Sequence, residues 1–396
     1  MQVLYGVWAS IFLKARPSFL SNFQFFILLP MHSHLVSKPA PHLVPDAIAL
    51  LKRLVATPSL SREEDKTADI IQEFLHERSI PTGRQMNNVW SCNRHFDTAK
   101  PTLLLNSHHD TVKPNQDWTR NPFEPSVEAD TLYGLGSNDA GGSLVSLIAT
   151  FLHFYDRENM PFNLILAATA EEEIIGKNGV ESILSELGAI HAAIVGEPTQ
   201  CELAVAEKGL MVLDCIAHGA SGHAARSTGV NAIDKAISDI QWFHSFAFPE
   251  VSPLLGQIKM SVTVINAGGQ HNVIPDRCTF VVDVRTTDAY THEEILAIIR
   301  SHVGCTVEPR SVRLRPSAIS LEHPIVRAAE RIGIPTFASA TLSDQSVMPF
   351  SSVKIGPGVS ERSHTADEFI RLSEIEQGII TYIHLCETLL SQGLLP

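Results

Sequence analysis

No run of lysine or arginine breaks the 396-residue chain, and its charge balance is acidic: 30 Lys+Arg against 43 Asp+Glu, a net charge of −13. A surface of that sign repels phosphate backbones and anionic lipid, which removes nucleic acid and membrane as partners. Clustered cysteines are missing too. The six, Cys92, Cys201, Cys215, Cys278, Cys305 and Cys386, are scattered without a Cys-x-x-Cys spacing. That excludes a disulfide scaffold and a cysteine-type zinc site, and it points to reduced thiols in a cytoplasmic protein. Nor is there an unbroken apolar stretch long enough to span a bilayer. Met1 to Pro30 holds Phe19, Phe23, Phe25, Phe26, Ile27, Leu28 and Leu29 but is interrupted by Ser21, Asn22 and Gln24, and Leu29-Pro30-Met31-His32 offers no signal cleavage site. Met31 is therefore expected as the true start, with residues 1–30 as upstream sequence without a folding role; a targeting segment is the alternative.

What remains is a globular composition, 44% hydrophobic and 18% charged, with an unusual 18 histidines. The length suits two domains, or one domain with a large insertion. Apolar spacing predicts a helix over 46–56, and Ser61 with Glu64 predicts a capping box ahead of a second helix over 67–78. Short apolar runs at 102–106, 163–168 and 192–195 alternate with helical stretches at 142–155 and 179–187. This is the rhythm of an α/β fold, a doubly wound, mostly parallel sheet with helices on both faces. After Lys208 the order changes to strand 211–218, helix 231–246, strands 259–267 and 278–285, helix 292–302 and strand 306–312. That βαββαβ order is ferredoxin-like. Helices near 324–333 and 373–391 then return to the first style. The expected division is 31–207 and 313–396 for a catalytic domain, with 208–312 inserted into it.

Acids and histidines collect in packets after the apolar strands, where open α/β sheets place their ligands. His108-His109-Asp110 follows Leu103-Leu104-Leu105. A metal-binding imidazole needs an acceptor for its second nitrogen, and Asp110 lies two residues on; a solvated strand end is the plainer reading. In Gly134-Leu135-Gly136-Ser137-Asn138-Asp139-Ala140-Gly141-Gly142, Asp139 stands where a dinucleotide loop needs glycine, so a nucleotide-dependent oxidoreductase fails. An acid between glycines suits a carboxylate bridging two metals, or a simple tight turn. Glu171-Glu172-Glu173 repel one another unless a cation offsets them, or else open a helix whose dipole favours acids. Glu197 and His364 each follow a further strand-like segment. One by one these are bland; together they suffice for two metals sharing a bridge.

In this order the packets resemble the acetylornithine deacetylase and succinyl-diaminopimelate desuccinylase family of zinc-dependent hydrolases, which includes aminoacylases and carboxypeptidase G. The likeness runs from Pro45 to the C-terminus and is greatest to acetylornithine deacetylase. It implies two Zn2+ per subunit, with Co2+ as a substitute. His108, Glu197 and Asp139 would hold one ion, and Glu173, His364 and the same Asp139 the other. Glu172 would be the general base and Asp110 would orient His108. The chain departs from the pattern at Ser107, usually Gly, and at Glu171, usually Asp. In the inserted module, Gly219 to Arg226 resembles the segment whose histidine, here His223, reaches the partner subunit's active site, which implies a homodimer. Asn272 and Arg285 resemble the substrate-binding pair, and a guanidinium suits the α-carboxylate of an N-acyl amino acid. The expected reaction is removal of an acyl group, foremost from N-acetyl-L-ornithine or an N-acyl ornithine or citrulline. The alternatives are a succinyl-diaminopimelate desuccinylase or dipeptidase, and, in another class, a metal-binding scaffold without catalysis.

Overall fold

Thr102–His108 is buried at every position, as a strand covered on both faces must be. The computed structural model describes residues 39–226 and 228–394; the expectation for residues 1–30 lies outside them. Thr102–His108 pairs in parallel with Asn163–Thr169 on one side and Ala192–Gly196 on the other, so consecutive crossovers leave it in opposite directions. Ser351–Ile355 extends the parallel run beside Ala192–Gly196. The margins are antiparallel: Gly83–Gln85 and Asn88–Cys92 on one side, and Leu203–Glu207 with Ser317–Ala318 on the other. Thr336–Ser339 joins Leu203–Glu207 in parallel, completing a nine-stranded sheet. The carboxyl ends of its central strands therefore converge at a switch in strand order, where a crevice opens.

The helix Gly142–Phe154 is buried on nearly all sides because it lies between the sheet and the helices Leu43–Val55 and Leu372–Gln392. Leu144, Leu147, Ile148 and Phe151 join the main core there, each stabilising by roughly 1.5–3 kcal/mol on burial. The predicted capping box before Asp65–His76 does not form. Glu64 stands at the N-cap position without a side-chain cap bond, and Ser61 Oγ instead donates to Asp110 Oδ2 at 2.7 Å. Long-range partners outcompete the local ones.

Residues 209–309 build a separate antiparallel sheet in the order Lys259–Ala267, Arg277–Thr286, Gly209–His218, Thr306–Pro309. Gly209–His218 alternates buried and half-buried side chains, as expected of a strand with one face on a core. That core holds Met211, Leu213, Phe243, Phe280 and Ile299, under the helices Ala232–Ser245 and His292–His302. The last strand ends at Pro309 rather than at residue 312. Three short strands, Ser126–Glu128, Thr131–Tyr133 and Phe369–Arg371, form a further small sheet.

Candidate metal centre

His108 ends the central strand and is buried, with its Nδ1 3.0 Å from the Asp110 carbonyl and 3.4 Å from Asp110 Oδ1. The nearer acceptor is thus the Asp110 backbone, whereas the sequence pointed to its carboxylate. Either contact turns Nε2 into the crevice, where it has no hydrogen-bond partner. Around it stand Asp139 Oδ1 at 3.4 Å, Glu172 Oε2 at 3.8 Å and Glu197 Oε1 at 3.8 Å. Asp139 turns its other oxygen, Oδ2, toward His364 Nε2 at 3.6 Å, and His364 Nε2 is 2.9 Å from Glu173 Oε2. One carboxylate thus faces two imidazoles, the arrangement of a bridge.

Each group is placed by its element. Glu171, Glu172 and Glu173 follow Asn163–Thr169, and Glu197 follows Ala192–Gly196. Glu171 adopts a left-handed φ of 56° and turns its carboxylate back onto Asn178, accepting from Nδ2 at 2.9 Å. Its two successors are left facing the crevice. Asp139 sits in one wide helical turn, Ser137–Gly141, after Gly136, whose φ of 75° favours glycine. Glu368 holds that turn by accepting from the amides of Gly136, Asn138 and Asp139 at 3.2, 2.8 and 3.0 Å. Sequence reasoning assigned Glu368 no part, although it was visible in the packet after His364. Asp344 is a second buried acid, accepting at Oδ2 from Asn106 Nδ2 and Thr169 Oγ1, both at 2.8 Å.

The electrostatics are those of crowded acids around one imidazole. Burial opposes charge on His108, but Glu172, Asp110, Asp139 and Glu197 outweigh it and push its pKa well above the ordinary histidine range. Burial also pushes Glu172 well above the usual carboxylate range and Glu197 up to about 8. Asp139 is held low despite its burial, because the neighbouring His108 imidazole favours its charged form. The Glu173 hydrogen bond raises His364 to about 9. Such crowding is costly unless positive charge is supplied.

The donor set tests whether a cation fits. His108, Asp139 and Glu173 offer ligand atoms within 4.8 Å of one another, and so do His108, Glu172 and Glu197. Nitrogen and carboxylate oxygens suit a divalent transition metal. With an orphaned buried Nε2 at the centre, the residues fit such ions.

The structure brings His108, Asp110, Asp139, Glu172, Glu173, Glu197 and His364 together, but not the three residues of the inserted module. His223 lies exposed in a short ladder with Val273, its Nδ1 accepting from the Ala225 amide at 3.2 Å. Asn272 is exposed, its backbone carbonyl accepting from the Ala224 amide at 3.1 Å. Arg285 is engaged by Asp283, Nε to Oδ1 at 2.9 Å and Nη2 to Oδ2 at 3.1 Å, which leaves Nη1 to offer.

The chain is similar to known hydrolases along most of its length. The sequence model of peptidase family M20/M25/M40 matches residues 104–388. A LysW-lysine/LysW-ornithine hydrolase of Sulfurisphaera tokodaii is 26% identical over 353 residues, covering 86% of this chain and 94% of that protein. The acetylornithine deacetylase of Edwardsiella ictaluri is 26% identical over 365 residues, covering 83% and 93%. Among solved structures, the Bacillus subtilis YXEP protein, a dinuclear metal binding peptidase, superposes with a TM-score of 0.65 at 18% identity, covering 89% of this chain and 99% of that one.

Proposed function

The chain belongs to peptidase family M20/M25/M40 and is a metal-dependent hydrolase, and from that premise we propose that it removes the acyl group of an N-acyl amino acid, foremost N-acetyl-L-ornithine. The observation that carries the hydrolytic reading is His108 Nε2, buried and unpartnered among Asp139, Glu172 and Glu197. The choice of an N-acyl amino acid draws support from the acetylornithine deacetylase and the LysW-ornithine hydrolase, each 26% identical. Zinc is the proposed metal, with cobalt as a substitute. His108 and Glu197 would hold one ion, Glu173 and His364 the other, and Asp139 both.

Two such ions supply Lewis acidity, which acidifies water and polarises an amide carbonyl. The chain's own residues do the rest. Glu172 faces the same space as the ligands, and its burial-raised pKa suits a group that must take a proton from the attacking water and hold it until the amine departs. It then passes that proton to the nitrogen of the departing amine. Arg285 lies apart from the clustered acids in this structure, and with Asp283 holding one edge of its guanidinium it would offer Nη1 to the carboxylate of a substrate reaching it from the crevice. Asn272 would contact the substrate beside it, and His223 of a second copy would donate to the developing oxyanion. The exposed strand Lys259–Ala267, with Val264 and Ile265 on its surface at the sheet edge, supports a homodimer.

Turnover of a panel of N-acetyl, N-succinyl and dipeptide substrates tests the substrate. Glu172→Gln should lower kcat on the best of them by roughly 10²–10⁴-fold while the metal content stays unchanged. Activity that survives exhaustive chelation, or a fully active Glu172→Gln, would overturn the reading.

A further inference from the structure

Glu64 is fully buried, yet it does not cap the helix whose N-cap position it occupies. An acid there ordinarily accepts from the first-turn amides. Here the carboxylate points away and finds three other donors: the Arg62 amide at 2.6 Å and the Glu171 amide at 3.2 Å on Oε1, and Asn87 Nδ2 at 2.8 Å on Oε2. The next two amides, of Glu172 and Glu173, donate to Asp110 Oδ1 and Oδ2 at 3.0 and 3.2 Å. Three consecutive backbone amides therefore end on two buried carboxylates from distant parts of the chain. Successive amides held this way form a concave nest, and here protein acids fill it.

The support reaches further back. The Asn87 carbonyl lies 2.8 Å from His109 Nε2, and Thr67 Oγ1 lies 2.9 Å from His109 Nδ1. A carbonyl can only accept, so His109 Nε2 donates to Asn87, while Thr67 Oγ1 also donates to the Glu64 carbonyl at 3.0 Å and closes the set. The assembly Thr67, His109, Asn87 and Glu64 is thus fixed in orientation and ends on the residue before Glu172.

We propose that Glu64 is a positioning residue for the reaction: by holding the Glu171 amide it fixes the strained turn from which Glu172 reaches the crevice. This deepens the hydrolytic reading above and rests on it. Of the proposed metal ligands, His108, Asp139, Glu197 and His364 lie on other segments, and Glu173 is anchored independently by Asp110 at its amide and by His364 at its carboxylate, so loss of Glu64 should disturb the proton-transfer geometry while leaving metal and substrate binding in place.

The experiment compares Glu64→Ala, Glu64→Gln and the exposed neighbour Glu63→Ala in the metal-loaded enzyme. Glu64→Ala should lower kcat about 10–100-fold, the range seen when a residue supporting a site is lost, with KM and metal content within about twofold of the parent. Glu64→Gln retains an acceptor for the Glu171 amide and should recover most of kcat, and Glu63→Ala should match the parent. Hydrogen exchange over residues 170–176 should speed up in Glu64→Ala and return toward the parent in Glu64→Gln. An unchanged kcat in folded Glu64→Ala, or a loss confined to KM or metal content, would overturn the proposal. If Glu64→Ala does not fold, Glu64→Gln decides: slow exchange and near-parental kcat sustain it, and a kcat as low as that of Glu172→Gln overturns it. A parent inactive on every acylated substrate would defeat the hydrolytic reading instead, and the exchange measurement would still report on the turn.

Discussion

Asp344 shows at the residue scale how the crevice holds charge. It is a buried carboxylate with hydrogen bonds to Asn106 and Thr169, and burial raises its pKa from 3.8 to about 6. A raised carboxyl pKa means that the folded state binds the extra proton. Stability therefore falls as pH rises from about 4 through about 6, and the loss is complete above that window. The shift corresponds to roughly 3 kcal/mol. In metal-free protein, Asp344→Asn should remove that slope, so that the variant gains on the parent between about pH 4 and about pH 7. Urea unfolding at the two pH values checks this; parallel curves for variant and parent would contradict it.

Between elements, a buried ion pair joins two neighbouring strands. Lys354, on Ser351–Ile355, places Nζ 3.1 Å from Glu207 Oε2, at the end of Leu203–Glu207, and also donates to the Thr341 carbonyl and hydroxyl at 3.1 Å. Glu207 in turn accepts from Ser343 Oγ at 2.8 Å and Gln345 Nε2 at 3.0 Å. The residues on both sides of Asp344 are thus tied to one carboxylate. Removing only the cation leaves Glu207 charged and buried, so Lys354→Met should destabilise by about 3–5 kcal/mol. The double variant with Glu207→Gln should recover part of that loss. Denaturant midpoints at constant slope measure both, and a Lys354→Met midpoint equal to the parent's would refute the argument.

At the scale of the whole molecule, the antiparallel module of residues 209–309 is tied to the segment that follows Glu173. Arg313, just past the module's last strand, donates to Glu181 Oε2 at 2.6 Å and to the Ile175 carbonyl, two residues beyond Glu173. If a second copy brings His223 to this crevice, the two defects should complement each other. Glu172→Gln and His223→Ala should each be nearly inactive alone. Mixed and allowed to exchange subunits, they should regain about a quarter of parental activity, since half the dimers are then mixed and each keeps one intact site. Mixtures no more active than their components would place His223 outside the reaction.

The order of strands and helices was legible because apolar periodicity and turn residues act locally: Thr102–His108, Ala232–Ser245 and His292–His302 lie where their patterns put them. So was the set of chemistry-bearing packets, since acids and histidines after apolar runs stand out in any chain. Three-residue strands such as Thr131–Tyr133 left no comparable trace, being too short for alternation to show. Proximity was decided only by tertiary structure. Glu173 and His364 are 191 residues apart, yet they share a hydrogen bond. The backbone twist at Glu171 determined which of three adjacent acids face the crevice, and Glu64 left its helix for a partner 107 residues away. Local pattern cannot encode such choices, because a buried polar group takes whichever donor the packed core brings within reach.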